Sequence, residues 1–421
     1  MKKSFAVLIV LFCVFITQSA QAVTVYYQPT PFPLKKANGT TMPQDNISIV
    51  HVWNGWLPSV YYGQTFQRDS SLQVGGWGDQ YRTYLKFDII GLPKNVDQAL
   101  IWLMPYSRGD SSTPIPYAVC QVISPWNLSM TWNTQPGIGT CYGWYSAPTA
   151  GNWSGFWLSG VGGLDWYNQW QSQMLVNNGV MLFPQAVNNN FDVFYNTLYS
   201  SYSVDPYADA RRPILQLTFT PPTGMPNFKM PLPGGYKWLL TNEIGGYECK
   251  GETPWPDTTH QGNNYFSLDF FPTNVKDGGG SYTGNIPILA VAGGTVIDVA
   301  QSNSDSRGWY ITLDHGNGYQ TRYLHFKNHA ARANGTWLNN GNWVNQGDQL
   351  GFMGGTGGYP VHLHINFWLN GIGASTTTNL TYAVMDGWLL KSFQTECAVD
   401  ANGVPTNRIR YYHSSNTPTG N

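Results

Sequence analysis

Short runs of alternating hydrophobic and polar residues dominate the chain, and glycine, proline or asparagine usually separates one run from the next. Alternation with a period of two predicts a β-strand with one buried face, and a short apolar run is typical of a strand buried on both faces. In the first half of the chain the clearest examples are residues 83–89, 100–104 and 213–219. The pattern predicts a mainly β protein.

One segment of the first half has helical periodicity instead. Trp166, Trp170 and Met174 follow one another at intervals of four residues, which places them on one face of an amphipathic helix over 165–175. Two packed antiparallel sheets and this single helix would account for residues 23–220. The expected architecture of this half is a β-sandwich.

The second half repeats the period-two signal in a different arrangement. Alternation over 265–270 places Asp269 on the face opposite to its apolar neighbours. Residues 286–299 predict two strands about a Gly-Gly turn, and a further pair of strands flanks the turn at 314–318. An antiparallel sheet is therefore expected here as well.

A stretch rich in proline and glycine, residues 221–234, separates the two halves. Proline and glycine at this density disfavour both helices and sheets, so the stretch predicts a linker or inter-domain strap. A chain of 421 residues is too long for one hydrophobic core. The expected domains are residues 23–220 and 235–421.

The first residues have the pattern of a secretory signal. Lys2 and Lys3, an apolar run over 5–16 and the small residues of Ala20-Gln21-Ala22 predict a signal peptide over 1–22. The apolar run is too short to span a bilayer, which argues against a membrane anchor. The mature protein is expected to be secreted, or periplasmic, and monomeric.

Cysteine usage agrees with an oxidising compartment. Loss of Cys13 with the signal would leave four cysteines, and an even number in an exported chain favours disulfides over metal thiolates. We expect Cys120 to pair with Cys141 and Cys249 with Cys397, because each pair then lies within one predicted domain.

Composition excludes one class of partner. The chain has 22 basic and 23 acidic residues, and removal of Lys2 and Lys3 would leave a net charge of about −3. Such a small net charge does not indicate a nucleic-acid partner. Most of the 18 tryptophans are expected in the core, and some could stack on sugar rings.

The motif His362-Leu363-His364 is the strongest chemical signal. On a strand, residues i and i+2 share a face, so the two imidazoles stand side by side. His260, Asp269 and His325 could complete a zinc site, because zinc binds imidazole and carboxylate and a catalytic site leaves its fourth position to water. Two histidines and one aspartate would be ligands, which leaves two histidines for proton transfer. His315, His329 and His413 are expected at the surface.

These segments resemble the lysostaphin, LytM and β-lytic group of zinc metalloendopeptidases, which cut peptide links in bacterial peptidoglycan. The order of the matching segments is that of the family: His260 with Ser267-Leu268-Asp269-Phe270, residues 288–296, Tyr323-Leu324-His325, residues 344–351 and His362-Leu363-His364. The interval between His260 and Asp269 is longer than the commonest family spacing and is similar to that of the β-lytic branch.

The resemblance implies an antiparallel β-sheet metallopeptidase domain with one Zn²⁺ per chain, bound by His260, Asp269 and His364. It further implies that His325 and His362 are the unligated pair that transfers protons. Tyr323 precedes His325 by two residues, so on a continuous strand it would share the same face and could support the oxyanion.

The first domain resembles the jelly-roll domains called DNRLRE, which are thought to bind carbohydrate. The similarity lies in residues 80–88, 96–103, 131–133 and 170–182. Within it, Phe87 and Trp132 are expected in the core.

Together, the two resemblances imply a secreted zinc endopeptidase that lyses cell walls, with the first domain attached to wall glycan. The alternative is a catalytically silent wall-binding or regulatory protein with the same fold. A polysaccharide hydrolase would need paired carboxylates in a cleft, and the first half contains no recognisable pair.

Overall fold

The computed structural model describes residues 21–27, 47–54, 65–67, 71–76, 80–108, 117–127, 129–145, 152–184, 191–196, 213–242, 247–250, 253–256, 264, 266–276, 285–370, 378–379, 382–391 and 410–413. The predicted signal peptide and Cys397 lie outside these residues, apart from positions 21 and 22. Among the described residues no helix is both long enough and apolar enough to cross a membrane.

The described part of the first half contains an α-helix, α1 (Trp166–Gln171), a 3-10 turn (Trp132–Thr134) and fourteen strands. The strands are β1 (Val23–Tyr27), β2 (Ile47–Asn54), β3 (Thr65–Gln67), β4 (Ser71–Gly76), β5 (Gln80–Phe87), β6 (Gln98–Leu103), β7 (Pro105–Arg108), β8 (Tyr117–Val122), β9 (Ile138–Tyr145), β10 (Ser154–Val161), β11 (Leu164–Asp165), β12 (Val180–Pro184), β13 (Phe191–Asn196) and β14 (Ile214–Phe219).

The described part of the second half consists of strands and their connections. The strands are β15 (Tyr236–Asn242), β16 (Tyr247–Lys250), β17 (Thr253–Pro256), β18 (Ser267–Lys276), β19 (Pro287–Leu289), β20 (Gly294–Val299), β21 (Trp309–Asp314), β22 (Gln320–Phe326), β23 (Trp343–Val344), β24 (Gln349–Phe352), β25 (Leu363–Leu369), β26 (Thr378–Asn379), β27 (Tyr382–Met385), β28 (Trp388–Lys391) and β29 (Arg410–His413). The prediction of a mainly β fold is confirmed.

Two sheets of the first half pack face to face. Sheet I has the strand order β11-β10-β6-β14-β1-β28-β27, and sheet II has the order β7-β13-β4-β5-β12-β8-β9, with β2 attached to β5 and β3 attached to β2. Ile101 and Leu217 of sheet I and Leu85 and Val119 of sheet II belong to one buried cluster, the sandwich core, which also contains Phe87. Trp132 is partly buried against a smaller cluster on sheet II. The predicted disulfide between Cys120 and Cys141 is present and joins β8 to β9.

Helix α1 is shorter than its periodicity predicts. Trp166 and Trp170 are buried in the sandwich core, as expected. Met174 is 75% exposed, because the helix ends at Gln171 and Gln173 adopts a φ of 61°. The four-residue spacing therefore identified the helix but extended it by about one turn too far.

Sheet III forms the scaffold of the second half and has the order β23-β20-β21-β22-β25-β18-β15-β29, with β26 on β25. One face of this sheet packs into a second buried cluster, named the second-half core. The predicted hairpin of β21 and β22 is confirmed. The two strands about Gly293-Gly294 are also present, but they do not form a hairpin, since β19 pairs with β24 and β20 pairs with β21 and β23.

A hairpin from the second half completes sheet I of the first. Strands β27 and β28 pair with each other, and β28 lies parallel to β1 with Trp388 opposite Tyr26. Val384 and Leu389 are buried in the sandwich core, whereas Met385 is buried in the second-half core. The hairpin therefore has one face in each core, as period-two alternation requires.

The proline-rich segment 221–234 is packed against this hairpin. Phe228, Met230 and Leu232 alternate along it and are all buried in the second-half core. The Met230 amide donates to Asp386 Oδ2 at 2.9 Å, and the Asp386 amide donates to the Phe228 carbonyl at 3.0 Å. The segment thus follows the surface where the two cores meet.

Candidate metal centre

Three neighbouring strands of sheet III position the candidate centre. Strand β25 lies between β18 and β22, so His364 is opposite Asp269 on one side and opposite Leu324 on the other. Leu363 and Ile365 point into the second-half core. Because side chains alternate along a strand, His364 and Asp269 share the opposite face, as the sequence predicted.

The segment before β25 does not continue this alternation. Val361 is exposed, because β25 begins only at Leu363. His362 is instead held by an isolated bridge, in which its amide donates to the Gly354 carbonyl at 3.0 Å. This bridge brings His362 beside His364.

His325 enters the centre through a β-bulge. The pairing between β21 and β22 shifts between Ile311–Tyr323 and Trp309–Phe326, so Leu324 and His325 lie opposite Tyr310 alone. His325 has a φ of 64°, a left-handed conformation that is uncommon for residues other than glycine. The bulge turns the His325 imidazole toward His362.

The same bulge separates Tyr323 from the centre. Tyr323 is buried in the second-half core. Its hydroxyl accepts hydrogen bonds from the Val291 amide at 2.9 Å and from the Thr321 hydroxyl at 3.3 Å. Burial raises the pKa of this hydroxyl. The structure does not bring Tyr323 to the histidines, and oxyanion support by Tyr323 does not fit this position. The expectation assumed that alternation continued through His325.

The three histidines and Asp269 converge in a buried cluster. Ring centroids are 4.7 Å apart for His325 and His362 and 6.0 Å apart for His325 and His364. One ligand nitrogen from each histidine lies within 4.8 Å of the other two. Asp269 Oδ1 lies 2.9 Å from His364 Nδ1 and 3.7 Å from His362 Nε2. All four side chains are buried.

Two of these imidazoles have a defined tautomer when they are neutral. Nδ1 of His362 lies 2.7 Å from the Pro360 carbonyl, and Nδ1 of His325 lies 2.9 Å from the Thr356 carbonyl. A carbonyl only accepts, so each Nδ1 carries the hydrogen and each Nε2 keeps its lone pair. Burial, with His362 and His364 nearby, lowers the pKa of His325 to about 4. His325 is therefore neutral at pH 7.

The donor set fits a zinc ion. Tetrahedral ligands at normal zinc distances lie about 3.3 Å from one another. Asp269 Oδ1 and His364 Nδ1, two atoms of the predicted ligand set, are 2.9 Å apart, which is close to this value. Imidazole nitrogen and carboxylate oxygen are also the atoms that zinc prefers. His260, the third predicted ligand, lies outside the described residues, so its part in the site stays a prediction.

Tyr359 also contacts this cluster, although the sequence analysis did not identify it. Its half-buried ring lies 4.4 Å from the His325 ring and 6.0 Å from the His362 ring. Its position three residues before His362 was the only signal available, and a turn residue gives no hint of where its ring will pack.

Asn366 contacts the side of His364 that faces away from Asp269. Its Nδ2 lies 3.1 Å from His364 Nε2 and donates to Asn264 Oδ1 at 3.1 Å. Among the described residues, no donor reaches the buried Asn366 Oδ1. A histidine that binds a metal through Nδ1 carries its hydrogen on Nε2. Rotation of the Asn366 amide by half a turn would present Oδ1 as the acceptor for that hydrogen.

Replacement of Asn366 by alanine is therefore expected to weaken zinc binding about 10- to 100-fold, the usual effect of removing a partner that orients a metal-binding histidine. Asn366→Asp should retain most of the affinity, because a carboxylate also accepts from Nε2–H. Competition with a zinc chelator measures both constants. Equal affinity of the wild type and Asn366→Ala would contradict this role.

Two histidines that were expected at the surface are held inside the second half. His315 contacts the Gly293 carbonyl through Nδ1 and the Thr321 hydroxyl through Nε2, both at 2.8 Å. His329 is buried between two tryptophans. The backbone of His413 in β29 pairs with that of Lys237 in β15, and the His413 side chain is not among the described parts of the structure.

Two regions of the chain match the models of known protein families. Residues 280–376 match the model of Peptidase family M23, and residues 54–156 match that of Carbohydrate-binding module family 96. The M23 match contains all three histidines of the cluster but begins after Asp269. No curated protein sequence matches the chain.

Solved peptidase structures resemble part of the chain. The catalytic domain of lysostaphin from Staphylococcus simulans is 20% identical over 34% of this chain and 88% of its own length, with a TM-score of 0.24. The M23 metalloprotease pseudoalterin, described as from the deep sea, is 22% identical over 44% of this chain and 98% of its own, with a TM-score of 0.25.

A zinc-containing peptidase from Vibrio cholerae is 20% identical over 38% of this chain and 41% of its own length, with a TM-score of 0.25. The matched region thus spans less than half of the Vibrio peptidase. M23 peptidases depend on a metal, and the three-histidine group could hold one. Residues 280–376, with His325, His362 and His364 in one buried cluster, form a domain of peptidase family M23.

Proposed function

We propose that the protein is a secreted, monomeric, zinc-dependent endopeptidase that cleaves peptide bonds in bacterial peptidoglycan. The observation that carries this proposal is the convergence of Asp269, His325, His362 and His364 on one buried face of sheet III. Buried imidazole nitrogens and a carboxylate oxygen that lie this close together are the donor atoms that zinc prefers.

Asp269 and His364 would hold the ion together with His260, whose participation rests on the family resemblance. When bound, zinc would supply a Lewis acid that polarises the scissile carbonyl and acidifies water. His325 and His362 would perform the proton transfers. Each is fixed by its Nδ1 contact, so each Nε2 can accept a proton from the attacking water and later return it to the leaving amine.

The peptidoglycan substrate is supported by the domain combination. An M23 peptidase domain and a carbohydrate-binding module in one chain fit a polymer that contains both peptide and sugar. The signal-like residues 1–22 support secretion, because they match the three parts of an export signal.

A catalytically silent wall-binding or regulatory protein with this fold is the alternative. Such a protein has no need of two histidines at the cluster whose tautomers are defined by carbonyl contacts at Nδ1. The retained arrangement of His325 and His362 therefore favours the enzyme.

Digestion of purified peptidoglycan by the full-length mature protein tests the proposal. We expect about one zinc per chain and the release of wall fragments whose masses show hydrolysis of a peptide bond. Several wall types should be compared, since the masses distinguish glycine bridges from links that contain D-amino acids. Removal of zinc by a chelator should stop the release, and added zinc should restore it.

Two results would contradict the proposal. Full lytic activity of the metal-free protein would exclude the metal-dependent mechanism. A zinc-loaded protein that binds walls but releases no peptide fragment from any of them would support the silent alternative.

A further inference from the structure

A pocket of about 400 Å³ lies beside the candidate metal centre and shares none of its residues. Pockets of about 300–1,000 Å³ are typical of small-molecule sites. Trp309, His329 and Trp337 supply aromatic walls, and Asn328, Arg332 and Gln349 supply polar groups. Strand β21, the segment 328–337 and strand β24 therefore build a cavity that the peptidase mechanism does not use.

The aromatic walls form a continuous stack. The rings of His329 and Trp337 lie nearly parallel, with centroids 4.4 Å apart and an interplanar angle of 20°. Trp309 meets the other side of this pair edge-on, with its centroid 5.4 Å from that of His329. His329 is buried, so the stack is anchored inside the fold. Trp337 is 63% exposed, and a tryptophan this open at the mouth of a pocket can accept a partner on its free surface.

The polar side of the pocket carries no uncompensated charge. Arg332 Nη1 lies 3.3 Å from Asp348 Oδ2, and its Nη2 donates to the Trp343 carbonyl at 2.6 Å. These contacts neutralise the guanidinium and hold it in place, so the pocket is not suited to an anion. Asn328 and Gln349 add neutral amides, which both donate and accept hydrogen bonds.

We propose that this pocket binds one neutral sugar ring. A saccharide has an apolar C–H face, which stacks on aromatic rings, and hydroxyl and amide groups around its edge, which bond to amide and guanidinium groups. An aliphatic side chain would satisfy the tryptophans but leave the polar groups desolvated without partners. A neutral ring with a polar edge would stack on the aromatic wall and form hydrogen bonds with the polar wall.

The pocket is connected directly to the candidate centre. The Trp309 amide donates to Thr356 Oγ1 at 2.9 Å, and the Thr356 carbonyl lies 2.9 Å from His325 Nδ1. Phe352 lines the pocket two residues before Gly354, the bridge partner of His362, a separation of about 7 Å along an extended chain. A sugar in the pocket would thus lie next to a peptide at the histidines.

This inference deepens the proposed function and rests on it in one respect, namely that the sugar belongs to the polymer whose peptide is cut. The second half would then bind the peptide and the glycan at the same time, independently of any sugar bound by the first half.

Kinetics of paired substrates test the pocket in the zinc-loaded full-length chain. One substrate is a short wall peptide, and the other is the same peptide attached to its N-acetylated disaccharide. Trp337→Ala should raise KM for the sugar-bearing substrate about 3- to 10-fold and leave KM for the bare peptide unchanged. Trp343→Ala is the matched control, because the Trp343 side chain is 57% exposed in the same domain and lies outside the pocket, and the variant keeps the backbone carbonyl that binds Arg332. It should change neither value.

Calorimetric titration with a β-1,4-linked N-acetylglucosamine oligomer provides a readout that needs no cleavage. The wild type and Trp343→Ala should bind one more oligomer per chain than Trp337→Ala. Equal KM changes for both substrates, no KM change in Trp337→Ala, or identical binding stoichiometry in all three proteins would overturn the proposal. Failure of the wild type to cut either substrate would instead refute the proposed function, and the titration would still decide the sugar site.

Discussion

Replacement of His364 by alanine is expected to abolish zinc binding and peptidase activity together. His364 Nδ1 is 2.9 Å from Asp269 Oδ1, and loss of the imidazole would leave the carboxylate without its neighbouring ligand. The loss of affinity should exceed the roughly 10- to 100-fold that is typical for a residue which only orients a ligand. Zinc content after dialysis and peptide release from walls measure the two effects.

His362→Ala is the comparison that separates the roles of the two histidines. This variant should retain about one zinc per chain, because the proposed ligands remain. Its turnover should fall about 10²- to 10⁴-fold, the usual contribution of a positioned acid or base. If His362→Ala loses the metal as completely as His364→Ala, His362 is itself a ligand and the assignment must be reversed.

Replacement of Val384 by aspartate is expected to destabilise both halves of the molecule. Val384 is 7% exposed and lies in the sandwich core, although its strand β27 belongs to the second half of the chain. An unpaired buried carboxylate should lower the free energy of unfolding by about 3–5 kcal/mol. The opposite face of the hairpin of β27 and β28 packs in the second-half core. Thermal unfolding of the wild type should therefore show one transition for both halves.

Val176→Asp is the control, since it introduces the same side chain at a position that is 72% exposed. Its melting temperature should stay close to that of the wild type. Calorimetry that resolves two separate transitions in the wild type, with only one of them lowered by Val384→Asp, would show that the hairpin does not couple the halves.

Local patterns predicted the elements that depend on neighbouring residues. Alternation placed Asp269 and His364 on the face opposite to Leu268, Leu363 and Ile365, and the two strands do present them so. The turn between β21 and β22 was likewise recognised from its own residues.

Features that depend on distant partners were not predicted. The bulge at Leu324 and His325 arises from the pairing of β22 with β21, and alternation alone assigned Tyr323 to the wrong face. The pairing of Trp388 with Tyr26 has no local signal, because the partners are separated by most of the chain. By contrast, alternation of Phe228, Met230 and Leu232 was visible, but the prolines around them suggested a linker.

The hairpin formed by β27 and β28 limits how the two halves can act on a polymer. With its side chains in both cores, it prevents one half from swinging relative to the other, as halves joined by a free tether would. The distance between a sugar attached to the first half and the histidines is therefore constant. Such an enzyme would cut at a set interval from its point of attachment and would need to release the polymer before reaching the next bond.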